Sequence, residues 1–245
     1  MRLLILLVLA LSFAKAATAA VCRDISFENL PYTICEIPFG ADLRLFLNGP
    51  SGAYAGFGAV QSDLSTKGET LGFAMNAGMY QPDLSPVGLY IEEGRQVTPI
   101  ITSDGPGNFG LLPNGVFCIG KTRFSVVESR AYVKNPPDCR FATQSGPMLV
   151  IGGKIHPLFK PASDSLNIRN GVGVSADGTT AFFAISHLAV NFASFARLFR
   201  DALGTPNALY FDGSVSRLLS PELGRSGAGF PIGPIVGLVL PKGDS

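Results

Sequence analysis

The 245-residue chain carries 19 lysine and arginine residues against 18 acidic residues, and its near-neutral charge with no basic cluster excludes the electrostatic footprint of a nucleic-acid-binding or anionic-membrane-binding protein. With 47% hydrophobic and 15% charged residues, the chain is not intrinsically disordered. Its 29 glycines and 18 prolines favour a strand-rich fold with many tight turns over a helix bundle.

The N-terminal segment has the pattern of a secretory signal peptide. Arg2 precedes an apolar run at 3–11, and Ala17-Thr18-Ala19 offers an A-x-A cleavage site. The run is well short of the roughly 20 apolar residues that span a bilayer. We therefore expect a signal peptide over residues 1–20 and export to the periplasm or the medium. The mature chain, residues 21–245, is expected to form a single domain with no membrane span.

Four cysteines lie in the predicted mature region: Cys22, Cys35, Cys118 and Cys139. In an oxidising compartment this even number predicts two disulfides, with three possible connectivities. Pairing between sequence neighbours is favoured, which joins Cys22 to Cys35 and Cys118 to Cys139. A zinc site is disfavoured because no two cysteines have C-x-x-C spacing and neither histidine is near them. No metal is expected.

Short apolar or alternating runs dominate the mature chain and predict strands. Gly152-Gly153 and Asp177-Gly178 separate neighbouring runs and are typical of hairpin turns. The predicted strands are Leu43–Leu47, Gly72–Met75, Val87–Ile91, Gly115–Ile119, Phe124–Val127, Met148–Ile151, Val172–Val174, Ala181–Ile185, Ala208–Phe211 and Ile235–Leu240.

One main helix is predicted, at residues 191–203. Asn191 is a good N-cap, and Gly204 ends the helix. Apolar residues repeat at three- and four-residue spacing and form one stripe, which should pack on the sheet that follows. Many strands with one main helix, in no regular βαβ order, predict an α+β fold, a single strand-rich domain with a mixed or antiparallel sheet. The stripe consists of Phe192, Phe195, Ala196, Phe199 and Leu203.

Four short polar stretches interrupt the apolar pattern, each at the boundary of a predicted strand. Glycine beside a polar side chain permits a sharp turn and a close approach of the backbone to a ligand. Taken singly, such stretches are more often simple turns, but loops at strand ends can converge on one site. The four are Asn76-Ala77-Gly78-Met79-Tyr80, Gln144-Ser145-Gly146-Pro147, Arg169-Asn170-Gly171 and Asp212-Gly213-Ser214-Val215-Ser216.

Together and in this order, the four stretches resemble the phosphodiester glycosidase family. That family has an Asn-Gly-Gly-Phe-Phe-like turn, a Ser-Gly-Pro segment, an Arg-Thr-Ala-Ile-Gly segment and an Asp-Gly-Gly-Gly-Ser segment. The resemblance spans about residues 70 to 240 and implies a domain that hydrolyses a glycosidic bond to a phosphodiester. Asn170 replaces a Thr of the family and Ser214 replaces a Gly, which indicates a divergent bacterial branch. The corresponding positions are 76–80, 145–149, 169–173 and 212–216.

The reaction that the resemblance implies needs few charged groups. Ordinary glycosidases use two carboxyl groups, one of which protonates a poor leaving group, whereas a phosphate leaves without a proton. Arg169 is expected to bind the phosphate through its planar fork, with a surface ion pair as the structural alternative. Asp212 is expected to act at the sugar carbon as nucleophile, general base or stabiliser of positive charge, with a turn as the alternative. The residues expected to bind substrate are Asn76, Gly78, Gln144, Ser145, Gly146, Asn170, Gly213, Ser214 and Ser216.

Neighbouring residues add further candidates. A Gly- and Pro-rich loop with Asn108 and Phe109 either walls the pocket or is a structural turn. Since the chain has no tryptophan, a sugar-stacking platform requires Tyr80, Tyr90, Phe109 or another aromatic residue. No cofactor is expected. A second carboxylate, if the site uses one, comes from Asp83, Asp104, Glu92 or Glu93.

Three functions fit these patterns to different degrees. The first is an exported hydrolase of sugar-1-phosphodiesters in an envelope or extracellular glycan. The second is a non-catalytic glycan- or phosphoglycan-binding envelope protein on the same scaffold, and the third is a structural envelope protein. The combination of Arg169 and Asp212 favours the hydrolase, because binding alone does not require a buried carboxylate beside an anion site. The third function leaves the four polar stretches unrelated to one another.

Overall fold

The computed structural model describes residues 21–243, so the predicted signal peptide lies outside the described residues. Within this part of the chain, no helix is long and apolar enough to cross a membrane. The helices are α1 Phe57–Ser65, α2 Ser129–Lys134 and α3 Phe192–Arg197, which continues as a π-helical segment, Leu198–Ala202. The strands are β1 Val21–Phe27, β2 Leu30–Pro38, β3 Leu43–Phe46, β4 Asn48–Gly49, β5 Gly52–Ala53, β6 Glu69–Asn76, β7 Tyr90–Glu92, β8 Arg95–Thr98, β9 Gly115–Gly120, β10 Phe124–Glu128, β11 Cys139–Ser145, β12 Met148–Ile151, β13 Lys154–Ile155, β14 Asn170–Val174, β15 Thr180–Ser186, β16 Asn207–Asp212, β17 Leu218–Ser220, β18 Arg225–Ser226 and β19 Ile235–Pro241.

Three large sheets make up the architecture. A seven-stranded sheet has the order β1-β2-β15-β14-β16-β12-β13, and two five-stranded sheets have the orders β10-β9-β11-β7-β8 and β18-β17-β6-β19-β3. Every neighbouring strand pair in these sheets is antiparallel. The α+β prediction is therefore confirmed, and all ten predicted strands overlap strands of the structure.

The main core lies where the three sheets face one another, and it draws buried residues from all of them. Phe183 of β15 is at its centre, with its ring centroid 5.0 Å from that of Phe73 on β6 and 5.7 Å from that of Phe117 on β9. Burying a side chain of this size contributes roughly 1.5–3 kcal/mol. This packing holds the ends of β6, β14 and β16 in a fixed relation.

Helix α3 covers the other face of the seven-stranded sheet, as its apolar stripe predicts. The Asn191 side chain caps the helix by accepting a hydrogen bond from the amide of Ser194 at 2.9 Å. Phe195 and Phe199 are fully buried in a second cluster that also contains Leu149 of β12 and Tyr210 of β16. The helix therefore packs on β12 and β16, and β16 leads into the polar stretch that begins at Asp212.

Within residues 21–243, the structure adds two α-helices and a short 3-10 helix, Pro221–Leu223, to the predicted helix. Helix α1 begins after Gly56, which provides no side-chain cap, and it buries Phe57, Val60 and Leu64 against the β6 sheet. Helix α2 has six residues and places Tyr132 in a small cluster on β9 and β11. The buried residues of α1 repeat at i, i+3 and i+7, which is an apolar stripe that the sequence analysis did not assign to a helix.

Two disulfides are present, in agreement with the favoured pairing. Cys22 and Cys35 occupy directly opposite positions on β1 and β2, and the Cys118–Cys139 bond joins β9 to β11. No cysteine of the described residues is free. The two bonds connect neighbouring strands within separate sheets.

Candidate active site

Two buried asparagines tie the end of β6 to the start of β14. The Asn170 side-chain amide donates hydrogen bonds to the carbonyl oxygen of Asn76 at 2.8 Å and to its Oδ1 at 2.9 Å. Asn76 Oδ1 also accepts the amide of Arg217 at 2.9 Å. Both asparagines are fully buried. This contact clamps two different sheets together at the point where the polar loops begin.

The backbone at the end of β16 is held by the same network. The amide of Asp212 donates to Asn170 Oδ1 at 3.1 Å. The hydroxyl of Ser216 donates to the carbonyl oxygens of Asp212 at 2.9 Å and Ile168 at 2.8 Å. Three residues expected to bind substrate, Asn76, Asn170 and Ser216, therefore support the backbone that carries Asp212.

The Asp212 carboxylate is buried and is bound by its own turn. Its Oδ1 accepts the amides of Gly213 at 2.6 Å and Ser214 at 2.8 Å. Burial raises the pKa of the Asp212 carboxyl, and the amides of Ser214, Gly213 and Val215 oppose this rise. Asp212 thus forms the turn that an Asp-Gly sequence suggests, and it also presents a desolvated carboxyl group.

A cavity of about 540 Å³ opens next to this carboxyl group. Asp212 is the only ionisable acid or base other than Tyr80 among the described residues that line it. The predicted Gly- and Pro-rich loop forms one wall through Asn108 and Phe109, so this loop is more than a turn. The lining residues are Met79, Tyr80, Gln81, Val87, Pro106, Gly107, Asn108, Phe109, Asp212 and Ser214.

Arg169 lies in an aromatic sandwich instead of a surface ion pair. Its guanidinium carbon is 3.7 Å from the ring centroid of Phe192 and 5.3 Å from that of Tyr210. Nε donates to the carbonyl oxygen of Val190 at 2.8 Å and Nη2 to that of Ser165 at 2.9 Å, while Nη1 has no partner. Because Nε and Nη2 bind carbonyl oxygens, that edge of the planar fork is already occupied.

Tyr210 lies on β16 two residues before Asp212, and its ring lies against the guanidinium of Arg169. Burial raises the pKa of the Tyr210 hydroxyl, the charge of Arg169 lowers it, and the charge of Asp212 raises it. No ion pair joins Arg169 to Asp212 in the described part of the chain. The sequence marks Tyr210 only as a strand residue, because its role depends on what lies next to its hydroxyl in space.

Gln144 lies outside the cavity, and all of its amide atoms are used within the protein. Its Oε1 accepts the amides of Leu89 at 2.9 Å and Ile101 at 3.0 Å, and its Nε2 donates to Ser129 Oγ at 2.8 Å. These bonds fix the beginning of the segment that leads to Asn108. The expected direct contact with substrate therefore becomes an indirect one, through the position of the loop.

The remaining predicted binding residues pack behind the cavity, with one exception. Ser145 donates from its hydroxyl to the carbonyl oxygen of Phe211 at 3.0 Å. Gly78 has a φ of +154° and lies so close to Thr143 that a Cβ would be 3.1 Å from its Oγ1. Gly146 packs against Asn114. Ser214 lines the cavity beside Asp212.

None of the four candidate second carboxylates lines the cavity. Asp83 and Asp104 are exposed, and Glu93 forms an ion pair with Arg140 on the surface. Glu92 is partly buried near Arg95, in a separate cleft.

Comparisons with known proteins agree with the family that the sequence resembles. The family model described as phosphodiester glycosidase matches residues 69–228. An uncharacterised Escherichia coli K12 protein, YigE, is 34% identical over 218 residues, which are 89% of this chain and 84% of that protein. The fold is similar to the auto-inhibited catalytic domain of zebrafish N-acetylglucosamine-1-phosphodiester alpha-N-acetylglucosaminidase, with a TM-score of 0.62 and 15% identity over 93% of this chain and 85% of that chain.

Proposed function

The chain belongs to the phosphodiester glycosidase family, and from that premise we propose that it is an exported hydrolase that cleaves the bond between a sugar and a phosphodiester in an envelope or extracellular glycan. The observation that carries the proposal is one buried carboxylate, Asp212, on a cavity otherwise lined by neutral residues. The volume of about 540 Å³ suits a sugar ring with its phosphate, since small-molecule pockets measure roughly 300–1,000 Å³.

A single carboxylate suits a phosphate leaving group. In the net reaction, the hydroxyl of water joins the anomeric carbon, and the carbon–oxygen bond breaks with its electron pair on the phosphate oxygen. The remaining proton of water passes to the phosphomonoester or to solvent. An alkoxide leaving group needs a protonating second carboxyl group, and among residues 21–243 no second carboxyl group lines this cavity.

Asp212 acts at the anomeric carbon in this proposal. Positive charge develops there as the leaving group departs, and a carboxylate stabilises it more strongly in a water-poor site than in bulk water. The amides of Gly213 and Ser214 hold Oδ1, so the carboxylate is oriented before the substrate arrives. Such preorganisation avoids the cost of reorienting solvent during the reaction.

Arg169 supplies positive charge on the phosphate side. A guanidinium group remains protonated even when buried, and this one has no carboxylate partner among residues 21–243. Because Nε and Nη2 are bound to carbonyl oxygens, Arg169 acts through its charge and not as a bidentate fork. An uncompensated buried cation favours the binding of an anion nearby.

Export remains part of the proposal. It rests on the predicted signal peptide, and the two disulfides support it because such bonds persist in oxidising compartments.

The test is an assay of the purified mature chain on a panel of sugar-1-phosphodiesters that differ in sugar, anomeric configuration and aglycone. We expect release of the reducing sugar together with a phosphomonoester. Phosphorus NMR detects the phosphomonoester. A glycoside of the same sugar with a neutral aglycone is the matched control and should react at least about 100-fold more slowly. Saturable binding of panel members without turnover would contradict the proposal and identify a glycan-binding protein. Absence of both binding and turnover would also contradict it.

A further inference from the structure

The ring of Tyr210 is fixed by close packing on β16. The residue is 1% exposed, and its ring meets that of Phe192 edge-on at a centroid distance of 4.8 Å. Phe192 in turn stacks on Phe159 at 4.9 Å. The position of the phenol is therefore set by the fold and does not depend on a ligand.

The Tyr210 hydroxyl is surrounded by polar groups at the edge of the cavity. Burial raises the pKa of this hydroxyl, Arg169 and Asn108 lower it, and the charge of Asp212 raises it. Asn108 and Asp212 both line the cavity. Gly213 leaves room for the hydroxyl, since a Cβ at that position would lie 2.2 Å from it. The hydroxyl therefore packs against Gly213, in the turn between Asp212 and Ser214, and both of these neighbours line the cavity.

Arg169 is placed to polarise this hydroxyl. Its guanidinium lies against the Tyr210 ring and has an unpartnered buried Nη1 atom. A buried group without its hydrogen bond carries a desolvation cost of about 1–3 kcal/mol, more when charged. Since burial raises the pKa of Tyr210, the phenol keeps its proton at neutral pH and remains a donor. A neighbouring cation makes such a donor stronger.

We propose that the Tyr210 hydroxyl is a catalytic hydrogen-bond donor to the phosphate oxygen that leaves the sugar, and that Arg169 is the positioning residue that polarises it from behind. This inference rests on the proposed function of the cavity. As the bond between the anomeric carbon and the phosphate oxygen breaks, its electron pair moves to that oxygen, and the hydrogen bond strengthens. Tyr210 keeps its proton throughout the step, so no proton is transferred.

The experiment compares Tyr210→Phe with the wild type on an active sugar-1-phosphodiester. We expect a loss of about 10–1,000-fold in kcat with little change in KM, because the hydrogen bond is strongest in the transition state. Tyr32→Phe is the matched control, since Tyr32 is a fully buried tyrosine of the same cluster whose hydroxyl has no partner. This control should retain the wild-type kcat, and melting curves should show both variants folded.

The role of Arg169 is tested in the same assay with Arg169→Gln and Arg169→Lys. If Arg169 acts through Tyr210, Arg169→Gln lowers kcat in the wild type and has little further effect in Tyr210→Phe. Arg169→Lys, which keeps the charge, should lose less kcat than Arg169→Gln. A folded Tyr210→Phe with near wild-type kcat overturns this inference alone. A wild type without turnover overturns the proposed function and this inference with it.

Discussion

Asn170 and Asp212 lie opposite each other on β14 and β16 of the seven-stranded sheet, and the Asn170 side chain accepts a hydrogen bond from the amide of Asp212 at 3.1 Å. The same asparagine is bonded to Asn76 in another sheet. A contact that joins two sheets therefore also sets the start of the turn that holds the catalytic candidate. Where the family has a Thr, this chain uses the longer amide side chain to make that connection.

We expect Asn170→Ala to lower both stability and activity. The substitution leaves the buried amide of Asp212 without this partner, which costs about 1–3 kcal/mol, whereas Asn76 Oδ1 keeps the amide of Arg217. The turn that carries Asp212 should then lose its alignment. Urea unfolding measures the first effect and kcat/KM the second.

An exposed asparagine provides the control for that variant. Asn48 is exposed on the short strand β4. Asn48→Ala should change the free energy of unfolding by less than about 0.5 kcal/mol. Wild-type stability in Asn170→Ala would show that the contact between the sheets contributes nothing.

Asp212→Asn tests the charge at the proposed catalytic centre. The amide oxygen of asparagine can accept the same two backbone hydrogen bonds, so the turn should persist while the negative charge is lost. We expect a loss of at least about 100-fold in kcat on a sugar-1-phosphodiester, with an unchanged fold by circular dichroism. Asp177→Asn is matched, because Asp177 Oδ1 also accepts the amide two residues ahead, in a distant hairpin. Equal activity of the two variants would remove Asp212 from the mechanism.

The pH dependence of the reaction should report the burial of Asp212. Since burial raises the pKa of this carboxyl, the acid side of the rate profile should have a midpoint above the ordinary aspartate value of 3.8. The carboxylate is the active form, so the rate falls as pH decreases through that pKa. Measurement of kcat/KM against pH gives the midpoint, and a midpoint at or below 3.8 would contradict the assignment.

The raised pKa of Asp212 also predicts a pH dependence of stability, and this dependence runs opposite to that of the rate. A carboxyl group whose pKa is higher in the folded than in the unfolded protein contributes most to stability below the unfolded pKa, and this contribution is lost as pH rises through the folded pKa. Asp212→Asn should therefore match or exceed the wild-type melting temperature at neutral pH. The advantage should disappear in acid, where wild-type Asp212 is protonated.

The sequence predicts those parts of the fold that follow a local period. Helix α3 shows a cap at Asn191 and a repeated apolar stripe, and both are present in the structure. Helix α1 has no capping side chain, and its three buried residues pack against the β6 sheet. Local patterns therefore identify α3 but leave α1 undetected.

The site is harder to predict from the sequence, because its residues are distant along the chain and come together only in the folded structure. Asp212 and the turn that contains it follow from an Asp-Gly sequence after a strand, whereas Gln144, at a similar strand end, bonds to Leu89 and Ile101. A polar residue at a strand end can face the cavity or the wall behind it, and the sequence does not separate these cases. Tyr210 has no local signal, since Arg169 and Asn108, which both affect the pKa of its hydroxyl, come from distant segments of the chain.

Gly213→Ala tests whether the space for the Tyr210 hydroxyl matters to the reaction. The new methyl group would lie 2.2 Å from that oxygen, so one of them must move. Overpacking of this kind typically costs about 1–3 kcal/mol, and displacement of the hydroxyl should lower kcat as Tyr210→Phe does. Gly58→Ala is the control, because its Cβ would meet nothing within 4 Å and alanine is the better helix former.

The double variant, Gly213→Ala with Tyr210→Phe, separates a steric effect on the hydroxyl from general damage to the turn. Phenylalanine removes the oxygen at 2.2 Å, and the nearest remaining atoms, Asn167 Cβ and Tyr210 Cζ, lie at 3.3 Å. The double variant should therefore be more stable than Gly213→Ala alone, while its kcat stays at the level of Tyr210→Phe. Thermal melts and steady-state rates of all four proteins complete the cycle. If Tyr210→Phe restores no stability to Gly213→Ala, the phenol is not the reason that this position requires glycine. The strain then lies in the turn itself.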